Sequence, residues 1–247
     1  SLTRDGDKKK FKNPPLIEAV FELFYQSSNW NPATPGTYYS RVNKDFPIIT
    51  QSGGGFGFAL GPQGVQIGSG NANLTQFKSQ DNSSIIQLSN NLFTVNKLPK
   101  YHGWESYKEM ILKAVVLLSS TIDIQQIDRI GLRVINKLDV KSHSLENFRR
   151  SFNVYPNMPK GIVNDFNSLQ INYETPFPDN EVLAVDFATL RKESGYQAPV
   201  QFQLYYTKLT PIDKSSIEKW IDNAHMQLHS AFDHIITMEQ KREFDND

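Results

Sequence analysis

Four charged side chains stand at strand-like spacing in two separate stretches of this 247-residue chain. Side chains alternate along an extended backbone, so residues two apart share a face. In residues 16–25, Glu18 and Glu22 share a face with Val20 and Phe24. Ile17, Ala19, Phe21, Leu23 and Tyr25 fill the other. In residues 129–138, Arg129 and Arg133 share a face with Gly131 and Ile135. Ile130, Leu132, Val134 and Leu138 line the opposite, apolar face, and Asn136 sits among them. A charge withdrawn from water must be paired, or its burial costs several kcal/mol. If the two strands lie side by side, Glu18 or Glu22 meets Arg133 or Arg129 across the sheet. Two chemistries fit that arrangement. A cross-strand ion pair would fix the register. A charged floor would instead hold a polar ligand, with Arg133 as a two-pronged anion contact and Glu18, Glu22, Arg129 and Asn136 around it.

Other constellations are weaker. His225 and His229 lie four apart on a helical stretch whose apolar stripe is Ile217, Ile221, Ala224, Leu228, Phe232 and Ile235. They could hold zinc with one carboxylate from Glu218, Asp222 or Asp233. His234 falls on the opposite edge of the stripe, and no third ligand is fixed by spacing. The expectation is a solvated flank, with no metal and no other cofactor. More than half of the 14 glycines fall in residues 52–70. A phosphate cradle needs a GK[ST] ending or a strand–loop–helix setting, and this stretch has neither, so it reads as turns. Cysteine is absent, which removes disulfides, thiolate zinc sites, iron–sulfur clusters and thiol nucleophiles.

Lys and Arg (26) balance Asp and Glu (26). A neutral chain exerts no long-range pull on a phosphate polymer, so nucleic acid is not the expected partner. No run of about 18 apolar residues occurs, which argues against a membrane helix. The polar, basic opening at residues 3–12 does not resemble a secretory signal, so a cytoplasmic location is expected. Residues 1–12, with Lys8, Lys9 and Lys10, read as a disordered, solvated tail.

The elements that must position these residues follow from periodicity. After the strand at 16–25, Thr34-Pro35 signals a helix with Thr34 as cap, ending at Phe46-Pro47. Short strands are expected at 55–60, 65–67, 74–77, 84–88 and 93–95. A helix at 103–120 carries Trp104, Tyr107, Ile111, Ala114, Val115 and Leu118 at helical spacing. The second half runs in the same order. A strand at 129–138 precedes a short helix at 145–152 behind Ser144. Strands at 169–175, 182–189 and 200–207 follow, then a helix over 216–242 opened by a Ser215/Glu218 capping box. Tyr39 through Phe46-Pro47 has the spacing of Phe148 through Tyr155-Pro156, and both long helices carry an early Trp (Trp104, Trp220). The pattern implies an α+β fold built from a duplicated strand–helix–strands–long helix unit, with halves at 13–123 and 124–247 forming one compact body. Both long helices should pack on one face of an antiparallel sheet, leaving the other for a ligand or partner.

Three stretches carry a resemblance. They are Asn13-Pro14-Pro15-Leu16-Ile17-Glu18-Ala19-Val20-Phe21-Glu22, Asp128-Arg129-Ile130-Gly131-Leu132-Arg133-Val134-Ile135-Asn136, and Ala224-His225 followed by Phe232 and Ile236-Thr237. Together they resemble a sporadically distributed prokaryotic family of uncharacterised proteins, over roughly residues 13–244. Val134 stands where that family has an aromatic residue. The resemblance implies one fold over the whole chain and a prokaryotic accessory or defence setting, with no activity attached. The expected function is therefore a non-enzymatic ligand- or protein-binding module. An enzyme acting on a phosphorylated or nucleotide-like substrate through Glu18, Arg129, Arg133 and His225 is the first alternative, and a nucleic-acid-binding saddle the second.

Overall fold

The computed structural model describes residues 11–53, 58–61, 64–67, 73–99, 101–159, 161, 165–191, 195 and 197–246. The expected tail at 1–10 and the glycine-rich turns at 54–57, 62–63 and 68–72 lie outside them. The first half holds β1 (Leu16–Ser27), α1 (Thr34–Val42), β2 (Ile48–Gly53), β3 (Phe58–Gly61), β4 (Gly64–Ile67), β5 (Asn73–Lys78), β6 (Ser84–Leu88), β7 (Leu92–Lys97) and α2 (Trp104–Ser119). The second holds β8 (Ile124–Asp139), α3 (Leu145–Ser151), β9 (Gln170–Phe177), β10 (Glu181–Thr189), β11 (Pro199–Lys208), α4 (Ile217–Ile235) and α5 (Met238–Glu243).

Nine strands form one antiparallel sheet in the order β2-β5-β6-β7-β1-β8-β11-β10-β9, and β3 pairs with β4 in a separate two-stranded sheet. In each half the leading strand pairs with the last one, β1 with β7 and β8 with β11, and earlier strands step outward from there. The two leading strands pair with each other at the middle. This is the α+β architecture expected from the repeated order of elements.

The apolar phase of each strand faces the helices. Phe21, Leu23, Ile130, Leu132, Phe93, Val95, Phe187, Phe202 and Leu204 are buried in one cluster with Tyr38, Ile111, Leu118, Phe148, Ile221 and Leu228 from the helices. Burying each such side chain contributes about 1.5–3 kcal/mol. Tyr38 donates to Ala114 O (3.2 Å) and Tyr107 to Val95 O (2.8 Å), so their hydroxyls are satisfied inside the core. The long helices touch through Lys108, whose Nζ lies 2.7 Å from Asp222 and 3.2 Å from Glu218. No helix among the described residues is long and apolar enough to cross a membrane.

Several boundaries differ from those the sequence predicts. β8 begins at Ile124, because bulges opposite Phe24/Tyr25 and Gln26/Ser27 shift its phase. There Ile124, Ile127 and Ile130 are buried at a spacing of three, which hides the strand from a period-two search. The closing helix is two helices. Ile236, buried, bridges to Phe152, and the Thr237 hydroxyl accepts from Gln240 N (3.2 Å) to start α5. The Ser215/Glu218 capping box does not form. Asp213 accepts from Ser215 N (2.8 Å), and Glu218 is drawn to Lys108 instead. The cap of α1 is Ala33, while Thr34 Oγ1 accepts from Asn31 N (3.1 Å). Phe11, within the stretch expected to be a tail, packs its ring against Phe232 and Phe244.

Candidate functional site

The register of β1 on β8 places Glu18 opposite Ile135, Val20 opposite Arg133, Glu22 opposite Gly131 and Phe24 opposite Arg129. Alternation puts all four charges on the sheet face away from the helices. Reading diagonally across the two strands, they interleave as Glu18, Arg133, Glu22, Arg129. Arg133 Nη2 lies 3.9 Å from Glu22 Oε1. Glu22 is 1% exposed and Arg133 8%. The side chains expected from the sequence to converge, Glu18, Glu22, Arg129 and Arg133, do share one surface.

Neighbouring strands complete it. Gln203, Tyr205 and Thr207 of β11 stand opposite Ile135, Arg133 and Gly131. Arg133 Nη1 donates to Gln203 Oε1 (3.1 Å), and its guanidinium carbon lies 4.0 Å from the Tyr205 ring centre. Gln203 Nε2 donates to Asp186 on β10 (2.7 Å), which also accepts from Asn172 on β9. On the other side, Asn96 Nδ2 of β7 donates to Glu18 Oε1 (2.7 Å). The Thr94 hydroxyl lies 2.8 Å from Asn96 Oδ1 and 3.2 Å from Gln87 Oε1 on β6. A polar belt thus runs from β6 to β9, with Thr94, Gln87, Asn96 and Gln203 all buried. Satisfied belts of this kind rigidify a structure, whereas partly satisfied ones are costly.

Gly131 makes the centre possible. The Tyr205 ring lies across it, so that the Tyr205 hydroxyl donates to Glu22 Oε1 from two strands away. A side chain at position 131 would occupy that path. Arg129 lies over the Phe24 ring, 3.7 Å from its centre. Glu22 Oε2 and Arg129 Nε are among the polar atoms of this group that are buried with no hydrogen-bond partner among the described residues.

Burial raises the pKa of Glu18 above the usual carboxylate range, against the opposing pull of the Asn96 hydrogen bond and the Arg133 charge. Burial and the Glu22 carboxylate likewise hold the Tyr205 phenol protonated. For Glu18 a raised folded pKa means that the ionised form costs stability. That cost is absent below its ordinary value and grows as pH rises through the folded one. Glu18→Gln keeps an acceptor for Asn96 and removes the ionisation. Its melting temperature should gain on the parent as pH rises above the ordinary glutamate value of about 4.3. Parallel melting curves above that value would refute the assignment.

The remaining candidates lie elsewhere. Asn136 pairs with Phe202 on the helix-facing side, 2% exposed, with Nδ2 unpartnered among the described residues. It is not part of the charged group, because an odd–even step on a strand separates it from Arg133 by the thickness of the sheet. His225 stacks on Trp104 with ring centres 4.1 Å apart, and His229 Nδ1 lies 3.2 Å from Asp233. No group of three or more His, Asp or Glu among the described residues could hold a metal ion. A cleft of about 940 Å³ between α3 and α5 is lined by Ser144, Asn147, Arg149, Arg150, Asp165 and Glu239. It is remote from the charged face, and its Arg150 is paired at the surface with Glu239 at 2.8 Å.

Gln203, Tyr205, Thr207 and Asp186 escape a reading of the sequence centred on apolar alternation. The signal for the first three lies in the complementary phase of β11, where Gln201, Gln203, Tyr205 and Thr207 alternate with Val200, Phe202, Leu204 and Tyr206. Both phases of this strand are almost entirely buried, and only the apolar one meets the helices.

No family profile and no curated protein matches the chain. Among solved structures it is similar to one described as "KH domains", with 9% identity and a TM-score of 0.20. The match covers 92% of this chain and 64% of that one, so the chain spans less than two thirds of that structure's length. A likeness this slight carries no weight for fold or function.

Proposed function

We propose that this chain is a non-enzymatic binding module that takes a small polar ligand on the helix-free face of its sheet, at Glu22, Arg129, Arg133 and Tyr205. The carrying observation is Glu22, which is 1% exposed, with one carboxylate oxygen satisfied by Tyr205 and the other unpartnered among the described residues. Register alone requires one ion pair. It does not require a polar belt across seven strands whose central carboxylate keeps one buried oxygen without a hydrogen-bond partner among the described residues, and each buried polar group left unsatisfied costs about 1–3 kcal/mol. A ligand that completes these bonds explains their retention.

The test is a thermal-shift screen of the whole chain against nucleosides, nucleotides and polar metabolites. A ligand at a hundred times its Kd stabilises by about 2.7 kcal/mol. For a chain of this size that is a rise of roughly 5–10 °C in Tm. The shift should vanish in Arg129→Met, which removes the guanidinium while keeping an unbranched apolar stem over Phe24. A screen with no stabilising compound, or with hits indifferent to Arg129→Met, would defeat the proposal.

A further inference from the structure

The ionic composition of the site limits what can enter it. Glu18 and Glu22 face Arg129 and Arg133, two acids against two bases. Arg133 is already engaged by Gln203 at 3.1 Å, by Glu22 at 3.9 Å and by the Tyr205 ring at 4.0 Å. A phosphate or carboxylate would compete with Glu22 for Arg133 and set a second anion against its carboxylate. The cost of burying an uncompensated ion opposes that. The anion contact expected of Arg133 from sequence is therefore the less favoured use of this surface.

Among the atoms that remain open are an acceptor and a donor on neighbouring rungs. Glu22 stands opposite Gly131 and Arg129 opposite Phe24, so Glu22 and Arg129 are diagonal neighbours across β1 and β8. Such neighbours have Cα atoms about 7–8 Å apart, close enough for one small group to reach both long side chains. Glu22 Oε2 accepts and Arg129 Nε–H donates, and both are buried without partners among the described residues. A neutral group satisfying both needs an N–H beside a carbonyl oxygen on one edge. Lactam and ureido groups have that edge. Their planar rings also suit a face on which Arg129 lies over Phe24 and Arg133 over Tyr205, since guanidinium planes stack on flat groups.

Resting on the binding-module reading above, we infer that the site takes a neutral lactam or ureido edge, of the kind uracil and guanine present. Glu22 Oε2 accepts from the ring N–H, and Arg129 Nε donates to the adjacent carbonyl oxygen.

Isothermal titration of the full chain with uridine, guanosine, N3-methyluridine, adenosine and inorganic phosphate tests this. Uridine or guanosine should bind. N3-methyluridine, which lacks the donor, and adenosine, which lacks the edge, should bind at least tenfold more weakly, the cost of a lost hydrogen bond to a charged group. Arg129→Met should lower uridine or guanosine affinity by a similar factor while leaving Tm without ligand within a few degrees. Binding of phosphate alone, or equal binding of uridine and N3-methyluridine, overturns the lactam assignment and leaves a polar-ligand site standing. No heat from either lactam nucleoside, with an Arg129-dependent stabiliser of other chemistry in the broad screen, does the same. Silence in both experiments removes the assignment and the binding-module reading together.

Discussion

Arg133→Ala should destabilise the fold by about 3–5 kcal/mol, the usual cost of removing one partner from a buried ion pair. The loss has three parts. Glu22, at 1% exposure, loses the guanidinium 3.9 Å from its carboxylate and is left with the Tyr205 hydroxyl as its hydrogen-bond donor. Gln203 Oε1 loses its donor, and the Tyr205 ring loses the guanidinium that covers it. Because most of the cost is the stranded carboxylate, Glu22→Gln in the same chain should recover a large part of it. Urea denaturation of the parent, the two single variants and the double variant measures the coupling, expected at about 1–3 kcal/mol for contacting residues. A single-variant loss below about 1 kcal/mol would mean that the pair behaves as a surface ion pair, and the buried ladder would be wrong.

Gly131→Ala should cost about 1–3 kcal/mol, although alanine is the smallest possible addition. A Cβ there would lie 2.5 Å from Tyr205 Cε2, 2.7 Å from the Tyr205 hydroxyl oxygen and 2.9 Å from Glu22 Oε1. The ring must move, and moving it takes the hydroxyl off Glu22. The same substitution in a Tyr205→Ala background should cost much less, since the clashing ring is gone and only the Glu22 carboxylate has to shift. Denaturation midpoints in both backgrounds decide the matter. Equal losses with and without Tyr205 would trace the effect to backbone preference rather than to this contact. In the parent background, affinity for any ligand of the site should fall along with stability.

The two charged strands were legible because their periodicity of two is undisturbed between Glu18 and Phe24 and between Arg129 and Ile135. Their adjacency was legible because each half repeats one order of elements. Less legible were features in which tertiary contacts overrule local pattern. The Ser215/Glu218 box looks complete in one dimension, yet Lys108 on another helix competes for Glu218. Ile236-Thr237 carries no glycine or proline, so nothing in the local composition announces the break that the Phe152 bridge imposes. Asn136 was read on the correct side of its strand, but only the sheet order shows that this side belongs to the helices. The contribution of β11 stayed hidden because Gln203 and Tyr205 lie about 70 residues from Arg133 in sequence. Pairing at that separation leaves no trace in spacing.

The mirrored strand order has a further meaning for how the halves depend on each other. All the acids of the central ladder come from the first half and all its bases from the second. A second copy of residues 13–123 seated where 124–247 now lies would set glutamate against glutamate, and the reciprocal swap would set arginine against arginine. Neither segment is suited to self-association, and each is the electrostatic complement of the other. The covalent link therefore joins two pieces whose central charges are complementary and not interchangeable.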